Sequence, residues 1–486
     1  MSAPPLRAPG QAGPGAPPQH SAAWHVRAVL AELFPAPANP SAQAPADPSA
    51  QAPASRAGHR RWALVLLQIA AVALGALVML ARVGGRPVWD SVYAEDPSIF
   101  LPWALGHPWH LLEAYAGYLQ LVPRLIGQVA ALVPIRDASV PFAVGGALVA
   151  SGCALFSYHA SAGHVSSRWL RALLGLSVLL LPVAQLEIAD TGVNSLWYLL
   201  IALFWAALWR PLSRSGASVA AVIAFAAAAS SSLGIFFVPL FAARAIAVPR
   251  RIREQAATLG WALGCALQLV VIVVSHQSRF APRNPVNAVL FYTHDVLLPA
   301  LGWHLSWHLR DALGLTGATA LVGGFIAVVL AAGLATQGRR CRVFVVTAVL
   351  AGLVLTFFTS ILAWGGPDQP IGIGVEHGAR YSTVPILLLD AALIVVADGW
   401  ARSWWPRPKA VVAVTVLVAV LAAGWVTDFR YPVSRLAGSP SEWVLTADQW
   451  LRYCQHRPSG TITVTFPNWW GKGLLYNTFS CSSLRR

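Results

Sequence analysis

The sequence predicts an all-α polytopic membrane protein with about 11 transmembrane helices, and three observations predict it. Of its 486 residues, 56% are hydrophobic and 11% charged, where a soluble domain carries about 25% charged residues. The mean hydropathy is +0.59. Long apolar runs recur along the chain, separated by short stretches that hold arginines. The net charge of +15 does not point to nucleic acid, because the arginines stand where topology determinants stand, between apolar runs. Ala, Gly, Pro and Arg abound and Lys409 and Lys472 are the lysines, a composition that fits a high-GC bacterial genome.

Residues 1–55 are rich in Pro, Ala, Ser and Gln and read as a disordered cytoplasmic arm, with room for a short amphipathic helix near Trp24–Phe34. The first long apolar run begins near Trp62, too late and too long for a cleavable signal peptide. The runs are roughly 62–82, 140–159, 169–186, 195–210, 217–231, 234–249, 257–275, 313–334, 343–362, 380–398 and 410–426. A spanning helix needs about 20 residues. The fifth and sixth runs are short and meet at Ser230-Ser-Ser-Leu-Gly234, which reads as a break at a membrane surface; the alternative is one long kinked helix.

Segment 117–134 is apolar but carries Tyr118, Gln120, Pro123, Arg124 and Gln128. If it lies in the interface rather than crossing, Arg56/Arg60/Arg61, Arg168/Arg171, Arg210/Arg214, Arg250/Arg251/Arg253, Arg339/Arg340/Arg342 and Arg402/Arg407/Lys409 all fall on one side, as the positive-inside rule expects. The core is then 56–426, with a cytoplasmic N-terminus in a bacterial plasma membrane. Regions 83–139, 187–194, 276–312, 364–379 and 427–486 lie outside. The first, about 57 residues, is too long for a simple connection and too apolar for disorder. The last, 427–486, reads as an extracytoplasmic appendage. Thr461–Phe466 alternates like a strand, Pro467–Gly471 is a turn and Leu474–Phe479 is a return strand. Cys454 and Cys481 flank this hairpin and predict a disulfide in an oxidising compartment. Cys153 and Cys265 fall in apolar runs and read as core; Cys341 sits among arginines on the cytoplasmic side.

The first outer loop carries Tyr93-Ala-Glu-Asp-Pro97, then Trp103, His107, Trp109, His110 and the string Ala114-Tyr-Ala-Gly-Tyr-Leu-Gln-Leu-Val-Pro-Arg124. An acid pair after the first span, on a long outer loop with interfacial helices and a many-helix bundle behind it, resembles the GT-C superfamily of polyprenyl-phosphate-sugar-dependent glycosyltransferases. With Asn194-Ser-Leu-Trp-Tyr198 and Ala379-Arg-Tyr-Ser-Thr-Val-Pro385, it also resembles actinobacterial integral membrane proteins of this type. A glycine often follows the acid pair in those relatives, where Pro97 stands here.

The resemblance implies transfer of a sugar from a polyprenyl-phosphate lipid donor to a glycan or protein acceptor, with membrane lipids around it and no nucleic acid. Asp96 or Glu95 would be the base on the acceptor hydroxyl, or would hold a divalent metal that assists; capping of a helix N-terminus is the structural alternative. The departing phosphate needs a cation, for which Arg124 and Arg380 are the candidates, Arg380 beside Glu376, His377 and Tyr381. Tyr118 lines the same loop, and Glu187, Asp190 and Asn194 form a polar outer turn for sugar hydroxyls or for capping. His304 and His308 have a ligand spacing but no tight third ligand, so no structural metal is expected. Rival readings are a transporter or flippase, which calls for charges inside the spans, a polysaccharide polymerase or ligase, and a GT-C-like protein without catalysis. Asp390 is the main charge inside a span.

Overall fold

The computed structural model describes residues 22–36, 54–84, 87–93, 95–184, 188–189, 191–275, 284–362, 379–404, 408–432, 443–467 and 474–485. Every apolar run is helical, as the burial of backbone polar groups in lipid requires. Among the described residues, six helices are long and apolar enough to cross a membrane: Trp62–Arg82, Ile135–Gly163, Ile252–Ser275, Trp303–Thr336, Arg339–Ser360 and Ala379–Arg402. The other five runs give shorter helices, Arg168–Leu180, Ser195–Leu208, Arg214–Ser230, Ser232–Ala247 and Val411–Thr427. The fold is thus an all-α membrane bundle, with six of the eleven expected spans reaching full length. Two helices form its centre. All fourteen residues of Ser195–Leu208 are buried, and so is nearly all of Ala379–Arg402.

The Ser230 region is a true reversal. Ser231 is extended (φ −143°, ψ 129°) and accepts from the Leu233 amide, starting the 3-10 turn Ser232–Phe237. Ser230 Oγ meets the Val122 amide at 3.0 Å, next to the outer loop. Arg244, in the helix that follows this turn, donates to the carbonyls of Ala207, Trp209 and Glu254, where Ser195–Leu208 ends and Ile252–Ser275 begins. The chain therefore goes out and comes back, rather than continuing as one helix.

The basic clusters gather at one end of the bundle. Arg210 pairs with Glu254 at 2.7 Å, Arg402 with Asp398 at 3.1 Å, and Asp398 also takes the Ser166 and Ser167 amides. Helix Ala22–Leu33 docks here, with Glu32 3.3 Å from Arg340. That helix is ordered on the bundle, so the arm is not featureless throughout; residues 1–21 and 37–53 lie outside the described set.

The opposite end carries loop 83–139. It leaves the first span at Arg82 and re-enters at Ser139, whose hydroxyl donates to the Trp89 carbonyl. Inside it are the π-helical turn Asp96–Phe100, helix Leu101–Gly106, and a hairpin pairing Ala114–Tyr115 with Tyr118–Leu119 through positive-φ Ala116 and Gly117. Helix Leu121–Ala130 follows. Ten residues rise about 15 Å, half a hydrocarbon core of about 30 Å, so this helix is too short to cross one; its Leu125 and Val129 side chains are exposed.

The C-terminal region packs on this loop. Beyond the hairpin of Thr461–Pro467 and Leu474–Ser480 it contains a helix, Trp443–His456, that the sequence reading did not mark out. Cys454 and Cys481 are joined by a disulfide. Trp443 Nε1 donates to the Ile135 carbonyl and the Val444 amide to Asp90, so the appendage shares one apolar core with Phe100, Ile126 and Phe142. Trp469 and Trp470 lie outside the described residues.

Arg82 ties three elements together at this end. Fully buried, it donates to the Leu179 and Leu181 carbonyls at 2.5 and 2.8 Å and to Phe429 at 3.4 Å. These are acceptors that helix ends leave without partners. We expect Arg82→Met to lower stability in detergent by on the order of 3 kcal/mol, since buried acceptors lose charged donors. Unfolding midpoints measure this; a variant as stable as the parent would show that the fork is dispensable.

Candidate functional site

The acid pair is split by its surroundings. Asp96 is 1% exposed, and its two carboxyl oxygens accept the Gly192 and Val193 amides at 2.9 and 2.8 Å. Those amides belong to the turn that leads into the buried helix Ser195–Leu208. Glycine is required there: a Cβ on Gly192 would come within 2.6 Å of Phe142 and 3.1 Å of Asp96 Oδ1. Gly146 allows the same turn to approach the Ser139–Ala160 helix, because a Cβ there would sit 2.5 Å from the Thr191 carbonyl oxygen. Asp96 is therefore a tie between two outer segments.

Glu95, the residue before it, is half-buried. The charges of Tyr381, Arg380 and Glu95 all bear on the Tyr118 phenol, whose hydroxyl bonds to the Gln120 side chain; burial raises its pKa above the ordinary range. Arg380 Nη1 donates to the Tyr93 hydroxyl at 3.2 Å, and the guanidinium lies 5.1 Å from the Tyr381 ring centre. Tyr381 meets Trp197 edge-on at 5.3 Å. One acid, one arginine and three tyrosines thus collect at the outer end of the two central helices. Sequence reasoning did not select Tyr93, Gln120, Trp197 or the Gly192-Val193 amides. Tyr93 stands two residues before Glu95 and Trp197 lies in the quoted Asn194–Tyr198 string, which are the signals that could have found them.

Other candidates fall elsewhere. Arg124 is stacked against Trp103 and Phe100, 5.3 and 5.9 Å from the ring centres, and the carboxylate that bears on it is Glu113. Asn194 occupies the N-cap position of Ser195–Leu208, with its amide donating to Thr191 Oγ1 at 3.3 Å. Glu187, Asp190, Glu376 and His377 lie outside the described residues. His304 faces the buried carboxylate of Asp428, which also accepts the Trp303 and His304 amides and so caps the Trp303–Thr336 helix. Among the described residues no three His, Cys, Asp or Glu side chains group as metal ligands. Asp96 is committed to two amides, so Glu95 is the one carboxylate of the pair placed to meet a metal.

Burial pushes the Asp96 carboxyl up to about 8, outweighing the two amides that favour its charged form; nearby Glu95 adds to the rise. The unfolded chain releases this proton near pH 4. Between those values the folded state binds more protons, so this group's contribution to stability is full below about pH 4 and is lost as pH rises through 8. We expect the unfolding temperature of the parent to fall from pH 5 to pH 8 more steeply than that of Asp96→Asn. Parallel profiles would mean that Asp96 does not hold its proton.

No protein-family model matches the chain, and no curated protein matches it. Among solved structures, the chain is similar to the cryo-EM structure of the arabinofuranosyltransferase AftD from Mycobacteria, with a TM-score of 0.43 and 16% sequence identity. The match covers 82% of this chain and 30% of that one, so this chain spans under a third of that protein's length.

Proposed function

We propose that the protein is a membrane glycosyltransferase that moves a sugar from a polyprenyl-phosphate carrier to a glycan or protein hydroxyl at the outer membrane face. The observation that carries this reading is that Arg380, in the first turn of the buried Ala379–Trp404 helix, donates to the hydroxyl of Tyr93, two residues before Glu95. A base and a cation at one place beside lipid are what displacement at a lipid-linked anomeric carbon needs. The gathering of the basic clusters at the far end supports a cytoplasmic N-terminus.

In this reading the acceptor oxygen attacks the anomeric carbon and Glu95 takes its proton. The bond from that carbon to the phosphate oxygen breaks, and the electron pair leaves with the polyprenyl phosphate. Arg380 and the neighbouring tyrosine hydroxyls meet the growing negative charge. Asp96 holds the Thr191–Asn194 turn against the loop, which fixes the backbone that carries Glu95. A divalent metal, if bound, would be held from Glu95 and would polarise the acceptor or phosphate; among the described residues no group of three His, Cys, Asp or Glu side chains completes its donor set.

One observation favours transport instead. Asp390 lies in the middle of a span, 1% exposed, and its Oδ1 has no hydrogen-bond partner among the described residues. The two readings separate by mutation. In membranes supplied with polyprenyl-phosphate sugar and acceptor, Glu95→Gln is expected to lower kcat roughly 100-fold or more with KM little changed. Arg380→Gln is expected to raise the donor KM and lower kcat, and Asp390→Asn to leave transfer intact. Loss of function in Asp390→Asn alone, with Glu95→Gln fully active, would replace this reading with transport.

A further inference from the structure

An acid without a partner lines a pocket that the transfer reading does not use. Helix Val286–Phe291 runs directly into the π-helical turn Tyr292–Leu297, and that turn carries Asp295. A π turn places an extra residue in the helical register, and such turns gather at functional sites. Asp295 Oδ2 is buried with no hydrogen-bond partner among the described residues. Burial raises this carboxyl well above the usual carboxylate range, and no neighbouring charge offsets the rise.

The pocket is lined by His294, Asp295, Trp303, Ser306, Trp307 and Arg310 among apolar side chains, and its inner room is about 20 Å³, the space of one water. Its other polar groups are engaged elsewhere. Ser306 donates to the Leu298 and Gly302 carbonyls, and His294 Nδ1 meets Thr319 Oγ1 at 3.1 Å. His304 is joined to Asp428, and His308 and Asp311 are exposed. Arg310 rests on the Trp307 ring, 5.1 Å from its centre. A carboxylate and a guanidinium thus line one pocket, and among the described residues no ion pair joins them.

The setting is the edge of the membrane. Gly302 (φ 145°) and Gly314 (φ 70°) bound residues 303–313, which form a short helix set off from the span that follows. Its Leu305, Trp307 and Leu313 are exposed, the pattern of a helix seated among lipid headgroups. Asp428 caps its start, and the next residue, Phe429, accepts from Arg82 at the end of the first span. The pocket therefore lies at the bundle end that carries loop 83–139.

We propose that this pocket holds the headgroup of a zwitterionic phospholipid, whose primary ammonium donates to Asp295 and whose phosphate accepts from Arg310. A primary ammonium is the size of a water and brings the charge that Asp295 lacks nearby, whereas a trimethylammonium is too large for the inner room. The planar guanidinium suits a phosphate. A free zwitterion carries the same groups, and the exposed apolar helix beside the pocket selects the lipid. The site stands without the transfer reading.

The test uses the full-length protein in a neutral detergent. Phosphatidylethanolamine, phosphatidylcholine with the same tails and free phosphoethanolamine are titrated separately, with thermal unfolding and native mass spectrometry as readouts. Phosphatidylethanolamine is expected to raise the unfolding temperature and remain bound, with phosphatidylcholine about tenfold weaker. Asp295→Asn is expected to bring phosphatidylethanolamine down to the level of phosphatidylcholine. Arg310→Gln is expected to weaken both lipids and keep the preference between them. Without lipid, Asp295→Asn is expected to unfold no earlier than the parent, because it removes a buried acid that has no partner; its loss of binding is then not a loss of fold. Equal binding of the two lipids by the parent, or a preference that survives Asp295→Asn, would mean that the pocket holds water only and would overturn the site. A response to free phosphoethanolamine equal to that of the lipid would overturn the lipid assignment.

Discussion

A helix that ends in or beside a bilayer leaves carbonyls and amides that water cannot reach, and each must find a partner in the protein. This constraint accounts for most of the buried charge in the bundle. Arg82 and Arg244 each donate to three carbonyls, most of them at helix C-termini. Asp428 and Asp398 close N-terminal turns by accepting amides. Asp96 belongs to the same set, since it serves the turn before Ser195–Leu208. What distinguishes it is its neighbour: the residue before it is half-buried and bears electrostatically on the Tyr118 phenol.

The two adjacent acids therefore sit in different environments. Asp96 is enclosed among Phe142, Ile126 and the Gly192 turn, where a charge is costly and two amides fill its oxygens. Glu95 is half-buried, and its charge is felt by the buried Tyr118 phenol together with that of Arg380. Arg380 and Arg124, alike in the sequence as cations near the outer surface, also separate. Arg380 has Tyr93 and Tyr381 as partners, while Arg124 is held between rings with donors to spare.

Much of this was legible beforehand. The apolar runs became helices because lipid leaves the backbone no other economy, and the serine cluster at 230–232 became a reversal. The alternating 461–466 stretch became a strand with its partner in register. Span length was less legible. The Ser195–Leu208 helix is apolar on every side, as a spanning helix would be, but it is sheathed by other helices and stops at fourteen residues. The division of labour between Glu95 and Asp96 was not legible at all, because it depends on two backbone amides nearly a hundred positions away, and an amide leaves no trace in side-chain identity. The Trp443–His456 helix was missed because its pattern is weakly apolar and its burial comes from the loop it covers.

The docking of the 443–485 region on the first outer loop has a consequence for assembly. The Val444 amide bonds to Asp90 across 354 positions, and Val83–Gly84 pairs in parallel with Tyr431–Pro432. The loop that carries Glu95 is made early in synthesis, while part of the core that packs against its Phe100, Ile126 and Ile135 comes from the far end of the chain, including the disulfide-linked Cys454 and Cys481. Contacts of such long range carry a high closure cost. Biogenesis thus orders itself around completion: a chain interrupted before residue 443 would carry the acid pair but not the shell that holds its loop in shape.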